Sequence, residues 1–204
     1  LKRKYSVIVS DLGNVLIPFD YGIAIKRLNQ IESGLGDNFY AYYKQHYELH
    51  RKFERGEIPE NEFISKLLKV VQNKVDNETI CRFYSEIFTV NDKVVELLPL
   101  LKKNYRLVLL SNTNSIHMRY GWGDYKFLSN FEKLILSHEV KAVKPEEAIY
   151  RAVEKYTGLP SEEHIFIDDI PEYIEGAKKC GWDGIVFSDY QQLWNDLKNR
   201  GIIF

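Results

Sequence analysis

Five short runs of β-branched and aliphatic residues, each leading into a polar cluster, constrain this chain more than any other feature. They occupy residues 5–10, 106–110, 134–136, 165–167 and 184–187. Apolar runs without polar alternation belong to strands buried on both faces, as in a parallel sheet. The segments between them carry helical signals, and strands alternating with helices make an α/β fold. Pro145 can open a helix in which Ala148, Ile149, Ala152, Val153 and Tyr156 share one face before Gly158, and residues 171–181 repeat the pattern. Residues 92–103 align Val94, Leu97, Leu98 and Leu101, with Pro99 expected to kink or shorten that helix. The expected fold class is α/β: a Rossmann-like parallel sheet flanked by helices.

Residues 20–91 interrupt this alternation. They hold no strand-like run of comparable quality and are predicted to form helices at 21–31, 39–55, 60–71 and 77–88, punctuated by Gly34, Gly36, Gly56 and Pro59. The expected organisation is a core domain of residues 1–19 and 92–204 carrying an inserted helical cap of residues 20–91.

Charge and composition exclude several classes of function. Lys plus Arg number 28 against 29 Asp plus Glu, a net charge of -1, so no phosphate-backbone footprint is expected and no nucleic acid partner. No apolar run approaches the roughly 20 residues of a membrane span, and the basic Lys2-Arg3-Lys4 start leads into a strand, not a signal-peptide core. The two cysteines, Cys81 and Cys180, lie far apart without a CxxC pattern, so neither a disulfide framework nor a zinc site is indicated, and a reducing cytoplasm fits best.

In an open parallel sheet, ligands bind beyond the carboxyl ends of the strands. Here those ends are polar: Ser10-Asp11-Leu12-Gly13-Asn14 after the first run, Ser111-Asn112-Thr113-Asn114 after the second, and Asp168-Asp169 after the fourth, with Lys144 just before Pro145. Carboxylates, a hydroxyl, amides and a lysine at one sheet edge are the inventory for a divalent cation and a phosphoryl group. Asp11 is a carboxylate that could attack phosphorus, and Mg2+ would let two anions approach. Either Asp168 or Asp169 could bind the metal with Asp11 and the Gly13 carbonyl. Ser111 and the backbone N–H groups after it would hold phosphoryl oxygens, with Asn112 the nearest amide, and Lys144 would neutralise charge at the nucleophile.

These residues, in this order, resemble the haloacid dehalogenase (HAD) superfamily, whose four motifs match Asp11, Ser111, Lys144 and the pair Asp168-Asp169 across the whole chain. The wording is closer still to the bacterial α-D-glucose-1-phosphate phosphatase group: Asp11-Leu12-Gly13-Asn14-Val15, Leu110-Ser111-Asn112-Thr113-Asn114 followed by His117, Lys144-Pro145-Glu146 with Ile149-Tyr150, and Ile174-Glu175-Gly176-Ala177. The stretch from Arg55-Gly56-Glu57-Ile58 to Phe63 resembles that group's cap. The resemblance implies a Mg2+-dependent phosphatase working through Asp11 on a small phosphorylated metabolite, with Asp169 aligned to the superfamily's metal aspartate. Two departures stand out. Gly13 replaces the aspartate that superfamily phosphatases usually carry two residues after the nucleophile as general acid, a glycine the glucose-1-phosphatase group shares. Tyr173 stands where relatives place Asn or Asp to hold metal-bound water. The rival readings are a metal-independent 2-haloacid dehalogenase, which also lacks the second aspartate, and a catalytically impaired metabolite-binding protein.

Outside these motifs the plain readings are preferred. His117 is read first as structural, and His46 and His50, four apart on a helix with no third ligand, as packing residues of the cap. The tyrosine-rich segment from Phe39 to Tyr47 is read as core packing, with a sugar-binding lining or a homodimer contact as the functional alternatives.

Overall fold

The computed structural model describes residues 4–204; Lys2 and Arg3 of the basic start lie outside the described residues. Strands β1 (Val7–Ser10), β2 (Arg106–Ser111), β3 (Lys133–Leu136), β4 (His164–Asp168) and β5 (Asp183–Val186) form one sheet in the order β3-β2-β1-β4-β5. Every pairing is parallel, and β1 lies at the centre with Val7 in register with Arg106 on one side and His164 on the other. Each of the five predicted runs overlaps one of these strands, with ends that differ by one or a few residues.

Helices cover both faces, and the strand period of two assigns the side chains. Val7, Val9, Val108, Leu110 and Phe166 pack with Ile149, Tyr150, Val153, Ile174 and Ala177 on one face. Ile8, Leu107, Leu109, Ile165 and Ile167 face the opposite layer, with Val94, Leu98, Leu101, Leu193 and Leu197. In chain order the helices of the core are α6 (Asp92–Val95), α7 (Leu98–Leu101), α8 (Ser115–His117), α9 (Ser137–Val140), α10 (Glu147–Thr157), α11 (Pro171–Lys179) and α12 (Tyr190–Asn199). The predicted helix over 92–103 is two short helices, with Pro99 in the first turn of the second. Helix α10 starts at Glu147, after a cis Lys144–Pro145 peptide, so Pro145 precedes the helix it was expected to open. Helix α12 was not anticipated; its N-terminus is capped by Asp189, whose carboxylate accepts from the Gln192 N–H at 2.9 Å.

Between β1 and β2 the chain forms the helical insert: α1 (Tyr21–Ile31), α2 (Leu35–Gln45), α3 (Tyr47–Glu54), α4 (Glu60–Val70) and α5 (Asn77–Ser85). The insert has its own apolar core, with Ala24, Leu28, Phe39, Phe53, Phe63 and Tyr84 buried together and Phe53 stacked on Phe63 at 4.1 Å. Asp20 caps α1 through the Gly22 N–H at 2.7 Å, and Asp76 caps α5 through the Thr79 N–H at 2.8 Å. The single helix expected at 39–55 is two, α2 and α3, broken at His46 (φ -117°, ψ 34°). No glycine or proline marks this break, so apolar spacing alone reads through it. Helices α1 and α2 approach so closely that a Cβ on Gly36 would lie 2.1 Å from the Ile25 carbonyl oxygen, which only glycine permits. Among the described residues no helix is long and apolar enough to cross a membrane, and Cys81 and Cys180 are both free and buried.

Candidate active site

The carboxyl ends of β1, β2 and β4 meet under the insert. Lys144, which is 1% exposed, lies between two carboxylates, with Nζ 2.7 Å from Asp11 Oδ1 and 2.6 Å from Asp168 Oδ2. Burial alone would lower the Lys144 ammonium's pKa, but Asp11 and Asp168 outweigh it and hold the lysine well above its ordinary range. Burial pushes Asp11 up to about 7; Lys144 opposes this and Asp168 reinforces it. Asp169 is also raised by burial, with Asn14 acting against the shift.

Asp11, Asp168 and Asp169 each present a carboxylate oxygen within 4.8 Å of the others. One lysine cannot balance three carboxylates in so small a volume, so the donor set fits a hard divalent cation. The three are not equivalent. Asp168 is fully buried; one oxygen is taken by Lys144 and the other accepts from the Ile170 N–H at 2.8 Å. Asp169 lines the cavity above the sheet edge together with Asp11 and Gly13. The Gly13 carbonyl accepts from the Val15 N–H at 2.7 Å, which uses one of its two lone pairs.

The remaining expected residues have distinct places. Asn112 clamps the backbone of Lys144: its Oδ1 accepts from the Lys144 N–H at 2.8 Å and its Nδ2 donates to the Lys144 carbonyl at 3.2 Å. It therefore positions the lysine as well as lining the cavity. Ser111 is buried, its hydroxyl 3.4 Å from the Asn112 carbonyl, and the wall of the cavity beside it is formed by Asn112 and Thr113. The Thr113 N–H is already used by Ser137 Oγ at 2.9 Å. Tyr173 directs its hydroxyl to Asn112 Nδ2 at 3.4 Å and Arg51 Nη1 at 3.3 Å. The Lys144 ammonium lies 5.0 Å from the centre of its ring, within cation–π range.

Other wall residues were missed or misread. Asn14 donates from Nδ2 to Asp169 Oδ2 at 3.1 Å and so ties the loop after β1 to the loop after β4. Its φ of 56° is left-handed, a backbone that Asn is among the few residues to adopt, and in the sequence only its place in the polar cluster after the first run pointed to it. Arg51 of α3 donates to the Lys144 carbonyl at 3.2 Å and seats the insert on the core. Glu54 and His50, on the same helix, also face the cavity, as do Tyr21, Tyr43 and Tyr47. His50 packs as expected, against the rings of Tyr43, Phe63 and Tyr84, and beyond that role it lines the cavity with Nε2 3.2 Å from Glu54 Oε1. His117 also reaches the wall, stacked on Tyr84 at 4.1 Å, and burial followed by the nearby His50 holds it well below the ordinary histidine range. The cavity is partly open and holds about 150 Å³.

A family model described as haloacid dehalogenase-like hydrolase matches residues 22–187. The chain belongs to this family. The match begins after Asp11, so the placement of that aspartate in this HAD hydrolase rests on the geometry above. Among curated proteins it is similar to a D-ribitol-5-phosphate phosphatase of Bacteroides thetaiotaomicron, 26% identical over 184 residues that cover 86% of this chain and 88% of the relative. Among solved structures it resembles a HAD family enzyme of the same organism, crystallised with magnesium and inorganic phosphate, at a TM-score of 0.79 and 26% identity over 93% of this chain and 99% of the other. An L-2-haloacid dehalogenase of Xanthobacter autotrophicus shares the fold at a TM-score of 0.64 and 17% identity, covering 96% of this chain and 83% of that one. The α/β sheet, the helical insert and the family expected from the motifs are therefore borne out.

Proposed function

We propose that this hydrolase is a Mg2+-dependent phosphatase of small sugar or sugar-alcohol phosphates, acting through an aspartyl-phosphate on Asp11. The observation that carries the reading is the arrangement around Asp11: one carboxylate oxygen fixed by Lys144, and Asp169 beside it in the same cavity. A dehalogenase that works without metal has no evident use for Asp169, whereas a phosphoryl group needs a cation among these carboxylates. The magnesium and phosphate in the Bacteroides structure and the named activity of the ribitol-phosphate phosphatase support the same assignment.

Asp11, Asp169 and the free lone pair of the Gly13 carbonyl would hold Mg2+, which when bound supplies positive charge to the transferring phosphoryl group. Asp11 would attack phosphorus through the carboxylate oxygen that Lys144 does not hold, forming an O–P bond as the ester O–P bond breaks. The departing alcohol oxygen then takes up a proton. Water attacks phosphorus in the second step, releasing inorganic phosphate and restoring Asp11. Lys144 offsets charge at the nucleophile throughout, and Asp168 holds Lys144 in place. With Gly13 at the position of the usual acid, no side chain there protonates the leaving group. Good leaving groups such as sugar 1-phosphates, favoured also by the glucose-1-phosphatase-like motifs, should react fastest.

Residues 20–91 are proposed to act as the cap over this site and residues 1–19 and 92–204 as the catalytic core. The cavity is partly open, so its volume of about 150 Å³ sets no upper bound on the ester, and the substrate panel decides between small esters and nucleotides. The reading is tested by phosphate release from sugar 1-phosphates, sugar-alcohol phosphates and nucleotides with Mg2+ or a chelator, alongside halide release from 2-chloropropionate. Chelator-sensitive release from the small esters is expected. Halide release without metal would favour the dehalogenase, and ligand-induced stabilisation without any turnover would favour a binding protein.

A further inference from the structure

Glu54 is the one carboxylate that the insert contributes to the cavity wall, and it is 8% exposed. A buried carboxylate is unfavourable unless it is held, so the manner of its holding is informative. Starting from the core, Asn114 Oδ1 accepts from the His117 N–H at 2.9 Å, which turns its Nδ2 toward Tyr84. Asn114 Nδ2 then donates to the Tyr84 hydroxyl at 3.1 Å, so the oxygen of that hydroxyl is an acceptor. The hydroxyl hydrogen has one partner, His50 Nδ1 at 2.9 Å. His50 accordingly carries its hydrogen on Nε2, which lies 3.2 Å from Glu54 Oε1. With the opposite tautomer, His50 would point a donor at Tyr84 and leave the hydroxyl hydrogen of this fully buried tyrosine without an acceptor.

Every donor in this chain therefore points the same way, and the chain ends on an acceptor. Glu54 Oε1 faces His50 Nε2 at 3.2 Å, while Oε2 lies 3.6 Å from Arg51 Nη1, beyond hydrogen-bond reach. A carboxylate offers roughly four acceptor positions, so most of its capacity is left for whatever enters the cavity. Burial alone would raise the Glu54 pKa, but the His50 N–H facing it and the charges of Arg51 and Lys144 hold it below the ordinary value, in keeping with an acceptor at neutral pH. Arg51 cannot compete for the same role, because its guanidinium is directed at the Lys144 carbonyl and the Tyr173 hydroxyl.

We propose that Glu54 is a specificity-determining residue that accepts a hydrogen bond from a hydroxyl on the leaving-group side of the substrate, restricting the enzyme to phosphate esters of polyhydroxylated alcohols. His50 and Tyr84 are positioning residues that keep the Glu54 carboxylate aimed. The proposal rests on the phosphatase reading above and adds the residue by which the alcohol is chosen.

The test compares glycerol 3-phosphate with propyl phosphate, two esters with the same carbon skeleton that differ in hydroxyls. The quantity read is the ratio of their kcat/KM values in wild type, Glu54→Gln and Tyr84→Phe. Wild type is expected to favour glycerol 3-phosphate, and Glu54→Gln to collapse the ratio by roughly 10- to 100-fold, mainly through KM, as expected for loss of a hydrogen bond to a charged group. Tyr84→Phe, which keeps the ring and removes the donor to His50, is expected to shift the ratio in the same direction by less, and it keeps the test alive if Glu54→Gln fails to fold. A wild-type ratio near one, or a ratio that survives both substitutions, overturns the assignment of Glu54 while leaving the phosphatase reading intact. Absence of phosphate release by wild type from both esters and from sugar 1-phosphates overturns the phosphatase reading and this assignment with it.

Discussion

At the scale of single residues the site is governed by the pairing of Lys144 with Asp11 and Asp168. Removing one partner of such a buried group leaves uncompensated charge, so Lys144→Met, which retains the bulk and deletes the ammonium, should destabilise the fold by about 3–5 kcal/mol. Urea unfolding without added metal measures this, and an unchanged midpoint would show that the lysine is dispensable to the fold. Gly13 invites the converse change. A Cβ there would meet only the Phe19 ring, at 3.6 Å, and the backbone is not in the left-handed region, so Gly13→Asp is accommodated. If leaving-group protonation limits turnover, it should raise kcat on alkyl phosphates by about tenfold or more, within the range of general acid catalysis. No gain, with folding intact, would mean that another step limits the rate. Asp11 and the acidic pair were legible in the sequence because strand ends in a parallel sheet converge whatever the surface does, whereas Lys144, in the loop after α9, was legible only through the order of the motifs. Glu54 and Arg51 were not, since their chemistry depends on how α3 is seated on the core, and helical spacing is silent about that.

Among elements, the joint between insert and sheet is centred on Ser137 at the start of α9. This fully buried hydroxyl donates to the Glu54 carbonyl at 2.6 Å and accepts from the Thr113 N–H at 2.9 Å, linking the end of α3 to the loop after β2. Ser137→Ala strands both groups and should lower stability by about 1–3 kcal/mol, seen as a lower Tm. A Tm equal to wild type would show that water or a backbone shift replaces the hydroxyl. Elements were readable where a local rule dictated them: Pro99 divided a predicted helix, and the apolar runs became strands. The break at His46 escaped because it is imposed by tertiary packing. It turns α3 so that His50, Phe53 and Glu54 point inward, and no residue type announces that turn. Helix α12 carries a readable cap in Asp189 followed by Leu193 and Leu197, both buried, and could have been found.

For the whole molecule, sheet and insert enclose one cleft whose carboxylates couple metal, proton and fold. Burial pushes the Asp11 carboxyl above its ordinary value of 3.8, up to about 7, so the folded state binds more protons between these values and its stability falls as pH rises through that window. A cation needs the ionised form, and protons compete with it below about pH 7. Mg2+ should therefore raise Tm more at pH 8 than at pH 5.5, and Asp11→Asn should erase most of that difference. Equal shifts at both pH values would contradict the assignment of Asp11 to the cation site. The central claim is that Asp11 is the nucleophile, and it is tested most directly by acid-quenching the Mg2+-loaded enzyme during turnover of a sugar 1-phosphate and measuring peptide masses. The expected result is one added phosphoryl group, labile to hydroxylamine, on the peptide containing Asp11 and absent from Asp11→Asn. Phosphate release by wild type with no phosphoryl group on that peptide, and equal release by Asp11→Asn, would contradict it.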